Sequence, residues 1–237
     1  MDSESRKTIL VIGNSEEAPV WKRLFGERGY DAIVGAWPDL QVSSYPSKDR
    51  SKRCQVAVRG EGTAFISGVL VRKLCRGLDA GETSFDRFHV TRLMIANPAG
   101  RDDFRNILFG LMHANIPAVN SLSSIYMTLD RPPCHAALQH LNDLHGDEFP
   151  LISQTYFSSF RTARFPPPAP FVAKVGHAEA GYGKVLFRDD ENWNDFAGVL
   201  ALHGDYVTVE QYMEKEYDLR IQKIGEKFCR WVFANYG

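Results

Sequence analysis

The stretch FVAKVGHAEAGYGKVLF, residues 171–187, holds the side chains best suited to chemistry. Lys174 and Lys184 flank a segment that carries His177 and three glycines, Gly176, Gly181 and Gly183. Without a Cβ, such glycines let backbone N–H groups come close to an anion, and lysine supplies a point charge suited to phosphate. The apolar residues on each side read as two strands, so the segment reads as a hairpin with a glycine-rich lid loop. It is not a P-loop, because it lacks GxxxxGK[ST] and no helix follows it directly. It also lacks the GxGxxG spacing of a dinucleotide fingerprint. An ordinary glycine-rich hairpin with solvated lysines has the same composition, and this stretch alone does not separate the two readings.

The surroundings add weight. Lys174 shares a strand face with Val172, and a lysine on an otherwise apolar strand either reaches a partner or snorkels. Some thirty residues on comes VTVEQYMEKEYDLRIQKIG, residues 207–225. In its second half Asp218, Arg220 and Gln222 share one strand face, and Leu219 and Ile221 the other. A half-exposed sheet reads the same way. His135, His140 and His145 fall on one helix, but a five-residue step from His135 to His140 suits a shared metal poorly. The basic run KDRSKR (48–53) could meet acidic lipid headgroups, although a solvated loop is the simpler reading. No Ser/His/Asp or Cys/His order stands out.

The chain has 237 residues with 44% apolar and 24% charged side chains, ordinary for a globular protein able to bury a substantial core. A formal net charge of −1 gives no global field for nucleic acid. Cys54, Cys75, Cys134 and Cys229 show no CxxC spacing, which fits free thiols in a reducing, cytoplasmic setting. No apolar run approaches the roughly 18 residues of a membrane span.

The elements that must position these residues follow from periodicity. TILVIG and DAIVGAW read as strands around a helix bearing Trp21, Leu24 and Phe25, a strand–helix–strand opening that predicts a parallel sheet. Residues 38–53 read as a surface loop, and QVAVR and AFISGVLV as a hairpin. FHVTRLMI (88–95) and IPAVNS (116–121) read as strands. Residues 102–115 carry apolar side chains at helical spacing. A helix capped by Asn120 or Ser121 ends at Pro132-Pro133, and Pro132 opens the next. Thereafter come strands at PLISQT, PFVAKV, KVLF, YVTVEQY, YDLRIQKI and KFCRWVFANY, with a helix starting near Asp189 or Asp190. A boundary near residue 119 divides an α/β half from a strand-rich half.

In this context four blocks, VNSLSSIYMTLDRP, FPLISQT, VAKVGHAEAGYGKV and EYDLRIQKIG, closely resemble the central domain of the synapsins, ATP-grasp-fold phosphoproteins of synaptic vesicles. The resemblance runs from about residue 7 to the C-terminus and is strongest over 105–225. It implies an α/β fold: a pre-ATP-grasp domain with a parallel sheet over 7–119, followed by an incomplete ATP-grasp domain over 120–237. It implies that Lys174 contacts ATP phosphate and that His177 to Lys184, with Gly181 and Gly183, form the mobile loop over the nucleotide. Arg131 stands where the family has a phosphate-reaching lysine, and the two are not interchangeable at a tight site. Glu210, Gln211, Tyr212 and Met213 resemble the adenine hinge, with backbone groups of Gln211 and Met213 on the base edge and Glu210 on the exocyclic amine. Arg220, in the EYDLRIQKIG block, completes the expected nucleotide-binding set.

The resemblance further implies ATP as a regulator that is bound rather than consumed, with Ca²⁺ or Mg²⁺ in the family. It implies homo- or hetero-oligomers with synapsin-like chains, and a cytoplasmic, presynaptic protein peripheral on synaptic vesicles that regulates neurotransmitter release. Relative to the family the chain stops at Gly237, before the lobe that supplies the metal-holding acids. The expectation is therefore a truncated core without metal ligands of its own. Two further readings stay open: an ATP-grasp carboxylate–amine ligase, and a non-binding scaffold that dimerises with full-length synapsin.

Overall fold

A computed structural model of the chain describes residues 6–71, 104–163, 165–178, 183–189, 191–224, 226 and 228–234. By contact density it divides into two units, Met1–Phe149 and Pro150–Gly237.

The first unit opens with β1 (Thr8–Ile12), α1 (Ala18–Gly26) and β2 (Asp31–Gly35). β1 pairs in parallel with β2, as the strand–helix–strand reading requires. Leu10, Val11 and Ile12 are all buried, so β1 is covered on both faces, which is why it reads as an unbroken apolar run. Val11 and Val34 meet Trp21 and Phe25 of α1, while Leu10 and Ile12 face the main core.

That core is roofed by a second, antiparallel sheet of β3 (Leu40–Ser44), β4 (Cys54–Val58) and β5 (Gly62–Phe65). Residues 40–44, expected as loop, are thus a strand. Their apolar content is thin, but Leu40 is buried in the core and Val42 packs against it beside α2 (Arg105–His113), where Gly110 gives it room. The stretch AFISGVLV also divides. Its first half is β5; its second half is β6 (Gly68–Val71), which leaves the hairpin and pairs in parallel with β1. The switch follows from burial, since Val69 and Val71 are needed in the core that β1 lines. The expected strand over 116–121 is reduced to a single parallel bridge, Ala118 to Val69. The strand expected over 88–95 lies outside the described residues.

Ser121 caps α3 (Leu122–Met127), its hydroxyl accepting from the Ser124 N–H at 3.1 Å. α4 (Arg131–His145) follows with proline in its first turn. Leu122, Ile125 and Leu129 are buried in the first unit's core, so in space this unit reaches Phe149, whereas the sequence boundary was drawn at residue 119.

The second unit is built on an antiparallel sheet in the order β7 (Gln154–Phe157), β10 (Val207–Gln211), β8 (Phe171–Val175), β9 (Lys184–Phe187). One face is apolar. Phe171, Ala173, Phe187, Val207 and Val209 pack on Trp193 and Leu200 of α5 (Trp193–His203). Phe171 and Phe187 stack at 4.8 Å, and Trp193 sets its edge against both at 5.5 Å. Trp193 Nε1 donates to the Ala163 carbonyl at 3.0 Å, so the indole is fixed at its polar end as well. α5 starts later than Asp189 because the Asp189 carboxylate accepts from the Glu191 N–H at 3.2 Å and holds a turn there instead. β7 sits at Gln154–Phe157, displaced from the expected PLISQT, with Phe157 packed on the apolar core. β11 (Asp218–Ile224) and β12 (Phe228–Ala234) form a separate two-stranded ladder. Among the described residues no helix is long and apolar enough to cross a membrane.

Burial pushes the Cys54 thiol up to about 11 from 9.0. The neutral thiol is therefore favoured by folding, and the stability it contributes is present below pH 9 and lost as pH rises through about 11. Native labelling with a thiol reagent at pH 8, read by mass spectrometry, is expected to modify exposed Cys229 and to leave Cys54 unmodified until denaturant is added. Equal labelling of both in the native protein would contradict the buried placement of Cys54.

Candidate functional site

Side chains on the four-stranded sheet of the second unit alternate between its two faces. With the inner face given to the core, the register puts Gln154 and Tyr156 of β7, Thr208 and Glu210 of β10, Val172 and Lys174 of β8 and Lys184 and Leu186 of β9 on the other face. Of the sequence-predicted residues, Lys174, Lys184 and Glu210 lie on this polar face.

At its centre Glu210 ties three strands together. Lys174 donates to Glu210 Oε1, and Gln154 Nε2 donates to Glu210 Oε2 at 3.3 Å. The pair is sheltered, with side-chain exposures of 12% for Lys174 and 23% for Glu210, so each charge depends on the other for solvation. An ammonium has three donors, so two remain on Lys174 after the bond to Glu210. Directly across the ladder from Lys174 stands Lys184, at the far end of the loop. The two lysines thus lie side by side on one sheet face. Thr208, opposite Lys174 on the other side, adds a fully buried hydroxyl with no hydrogen-bond partner among the described residues. An unbonded buried hydroxyl is unfavourable by about 1–3 kcal/mol, and its position suits a polar ligand over this face.

The loop is pinned at its base. The Val175 N–H donates to the Gly183 carbonyl at 2.8 Å, and the Gly176 N–H to the Tyr206 carbonyl at 2.8 Å. Gly176 has φ +54°, and a Cβ there would lie 2.3 Å from Asp205 Oδ2. A side chain there is strained both by the positive φ and by the contact with Asp205. The same carboxylate accepts from the Tyr206 N–H at 2.9 Å through Oδ1, so Asp205 is held in place as a wall against the loop's first residue. Gly183 closes the other end with φ +69°. His177 is half-buried with its Nδ1 shut away from solvent, and Lys184 is exposed. Gly181 lies outside the described residues.

β10 runs on into the predicted hinge. The Tyr212 N–H donates to the Pro170 carbonyl at 3.0 Å. Ladder alternation then turns the backbone groups of Gln211 away from β8, toward the side where pairing with β7 ends at Glu210 and Gln154. Gln211 and Met213 are exposed, Met213 by 53%, so an exposed edge of backbone follows directly on Glu210. Sequence reasoning gave Lys174 to phosphate and Glu210 to an adenine amine; the structure bonds them to each other. It also missed Gln154 and Thr208, which the strand register brings in, and Asp205, which its contact with Gly176 brings in.

Two predicted residues stand apart. Arg131 is the first residue of α4 and belongs to the first unit. Arg220 lies on β11, paired with Val232. Among the described residues no group of three His, Cys, Asp or Glu side chains is placed to hold a metal ion.

Residues 120–235 match the family model described as synapsin, ATP binding domain. The synapsin of Drosophila melanogaster is 34% identical over 138 residues, which is 54% of this chain and 13% of that protein; the chain thus spans a small part of its curated relative. Among solved structures, D-alanyl-alanine synthetase A from Vibrio cholerae aligns with TM-score 0.52 and 12% identity over 95% of this chain and 65% of its own. VanG D-Ala:D-Ser ligase from Enterococcus faecalis aligns with TM-score 0.51 and 15% identity over 97% and 68%. At such identities the likeness is one of fold alone, the α/β ATP-grasp architecture.

The Gly176–Asp205 contact makes a testable demand. Gly176→Ala is expected to lower stability by about 1–3 kcal/mol in urea unfolding. Asp205→Ala in the same chain should restore only the part due to the contact, leaving the part due to positive φ. Full additivity of the two substitutions would mean that the carboxylate does not confine the loop.

Proposed function

This chain belongs to the synapsin family through the ATP-binding domain at residues 120–235, and from that premise we propose that the polar face of its second sheet binds ATP. The observation that carries the reading is the placement of Lys174 and Lys184 directly opposite each other at the mouth of a glycine-bounded loop, one strand from an exposed backbone edge. In this reading the two ammonium groups take the phosphates. Glycine-bounded backbone at 176–183 closes over them, and Glu210 to Met213 receive the adenine. Lys174 keeps Glu210 as partner and offers its two remaining donors to phosphate, so the ligand need not break the ion pair. Thr208 supplies a further polar contact. The basic residue Arg131 is given the phosphate role that its motif position implies, and Arg220 the supporting role at the nucleotide.

ATP in this reading is a regulator and is not consumed. Its binding would tune association with synapsin-like chains and with the surface of synaptic vesicles, and through that the release of neurotransmitter, in a presynaptic, cytoplasmic protein. Divalent ions would accompany the triphosphate and screen its charge. The fold shared with ligases brings no activity with it, because a fold hosts many functions and function resides in sites.

The test is thermal melting with and without millimolar ATP, in magnesium and in calcium. ATP at a hundredfold over its dissociation constant should add about 2.7 kcal/mol, or about 5–11 °C for a domain of this size. Lys174→Met with Glu210→Gln, which removes both charges of the sheltered pair together, should keep the fold and lose the shift. Lys184→Ala should reduce it, and Arg131→Ala tests the role given to that residue. A cooperative melt that ATP leaves unmoved, at concentrations where a synapsin control shifts, would sink the proposal.

A further inference from the structure

The basic run at 48–53, read from sequence as a solvated loop, is sorted by the structure into two groups. Asp49 caps a short 3₁₀ turn over Arg50–Lys52, accepting from the Ser51 N–H at 2.9 Å and lying 3.8 Å from Lys52 Nζ. Lys48 and Arg53, on either side of this turn, instead line a surface depression of about 430 Å³. His113 and Asn115, from the end of α2, complete it, with Tyr45 and Ser47 beside them. Residues more than fifty positions apart in the chain thus present three nitrogen bases and an amide to one space.

Several features mark this as a built site. Arg53 Nε donates to the Ser47 carbonyl at 2.7 Å, which fixes the guanidinium plane and leaves its terminal N–H groups as the remaining donors. Ser44 Oγ lies 2.8 Å from His113 Nδ1, which sets the imidazole and leaves Nε2 as its other nitrogen. Asn115 takes a left-handed backbone, φ +52°, an arrangement that asparagine tolerates and that turns the chain sharply at the rim. No carboxylate lines the depression, and among the described residues neither Lys48 nor Arg53 has an acidic partner. The formal charge offered by Lys48 and Arg53 is +2, the complement of a phosphate monoester at neutral pH, which carries about −1.5 to −2. The volume falls in the range of small-molecule sites, about 300–1,000 Å³.

We propose that Lys48, Arg53 and His113 form a second anion site, in the first unit, that binds a phosphate monoester carried on a polyol. Arg53 grips two phosphate oxygens with its terminal nitrogens, Lys48 adds a mobile point charge, and His113 and Asn115 bond the remaining oxygens and the carrier's hydroxyls. This group can reach the site as a free phosphorylated polyol or as the headgroup of an inositol lipid. The site is independent of the nucleotide reading, because the two share no residue.

The experiment uses the whole chain and two probes. Inositol 1,4,5-trisphosphate is titrated by calorimetry, and phosphatidylcholine vesicles with and without phosphatidylinositol bisphosphate are tested by cosedimentation. The trisphosphate is expected to bind. Lys48→Glu and Arg53→Gln should each weaken it by about ten- to a hundredfold, the loss of one charge-assisted contact. Lys48 is exposed, so its variant keeps the fold even if that of Arg53 does not. The double variant Lys174→Met with Glu210→Gln, which keeps the fold, should leave the affinity unchanged. Binding of the free compound assigns the site to soluble ligands, and binding of vesicles alone assigns it to headgroups; either supports the site if Lys48→Glu abolishes it. Wild-type protein that binds neither probe, Lys48→Glu protein that binds as wild type, or loss of binding in the double variant Lys174→Met with Glu210→Gln would overturn the proposal.

Discussion

The second unit depends on a single carboxylate. Glu210 receives Lys174 from one side and Gln154 from the other, so strands β7, β10 and β8 are joined on their polar face by one side chain. On the opposite face the same strands are held by Phe171, Val209 and the ring cluster around Trp193. The backbone is therefore fixed from both sides where the lysine emerges. A sheltered ammonium without a counter-charge is unfavourable, so the acid makes it possible to keep a cation on an otherwise apolar strand.

That arrangement also explains how a site can be charged and still stable without ligand. Lys174 is compensated, but it is not exhausted, because ammonium donors outnumber the bond it makes. Lys184 opposite is exposed and adds positive potential at the loop mouth. The loop itself is confined at both ends, by Asp205 against Gly176 and by the Val175–Gly183 hydrogen bond.

The first unit follows a different logic. Its strands are buried on both faces of β1, and its second sheet supplies alternating Cys54, Val56 and Val58 to the same core. Function there lies on the periphery, where the connection between β3 and β4 meets the end of α2. Distribution of charge within that connection is decided by one capping aspartate: Asp49 occupies Ser51 and Lys52, and Lys48 and Arg53 are left to line the depression. In each unit a carboxylate engages one basic group, Glu210 with Lys174 and Asp49 with Lys52.

Much of this was legible in the amino-acid sequence. The parallel pairing of β1 and β2, the hairpin of β8 and β9, the serine cap of α3 and the proline opening of α4 all follow from rules acting between neighbouring segments. The phosphate-suited loop was visible as two lysines around three glycines, and the family was visible in four blocks of sequence. What only the tertiary structure decided was every partnership between distant segments. LQVSS has too little apolar content to announce a strand until Leu40 and Val42 find the core and α2. GVLV looks continuous with the preceding hairpin strand until β1 claims it in parallel. Gln154 and Thr208 gain a role only from the strand register and Asp205 only from its contact with Gly176, and Lys48 and His113 are separated by a long stretch of chain. Local propensity is fixed by neighbours in sequence, whereas register and burial are set by which surfaces must leave water together, and no short stretch of sequence contains that information.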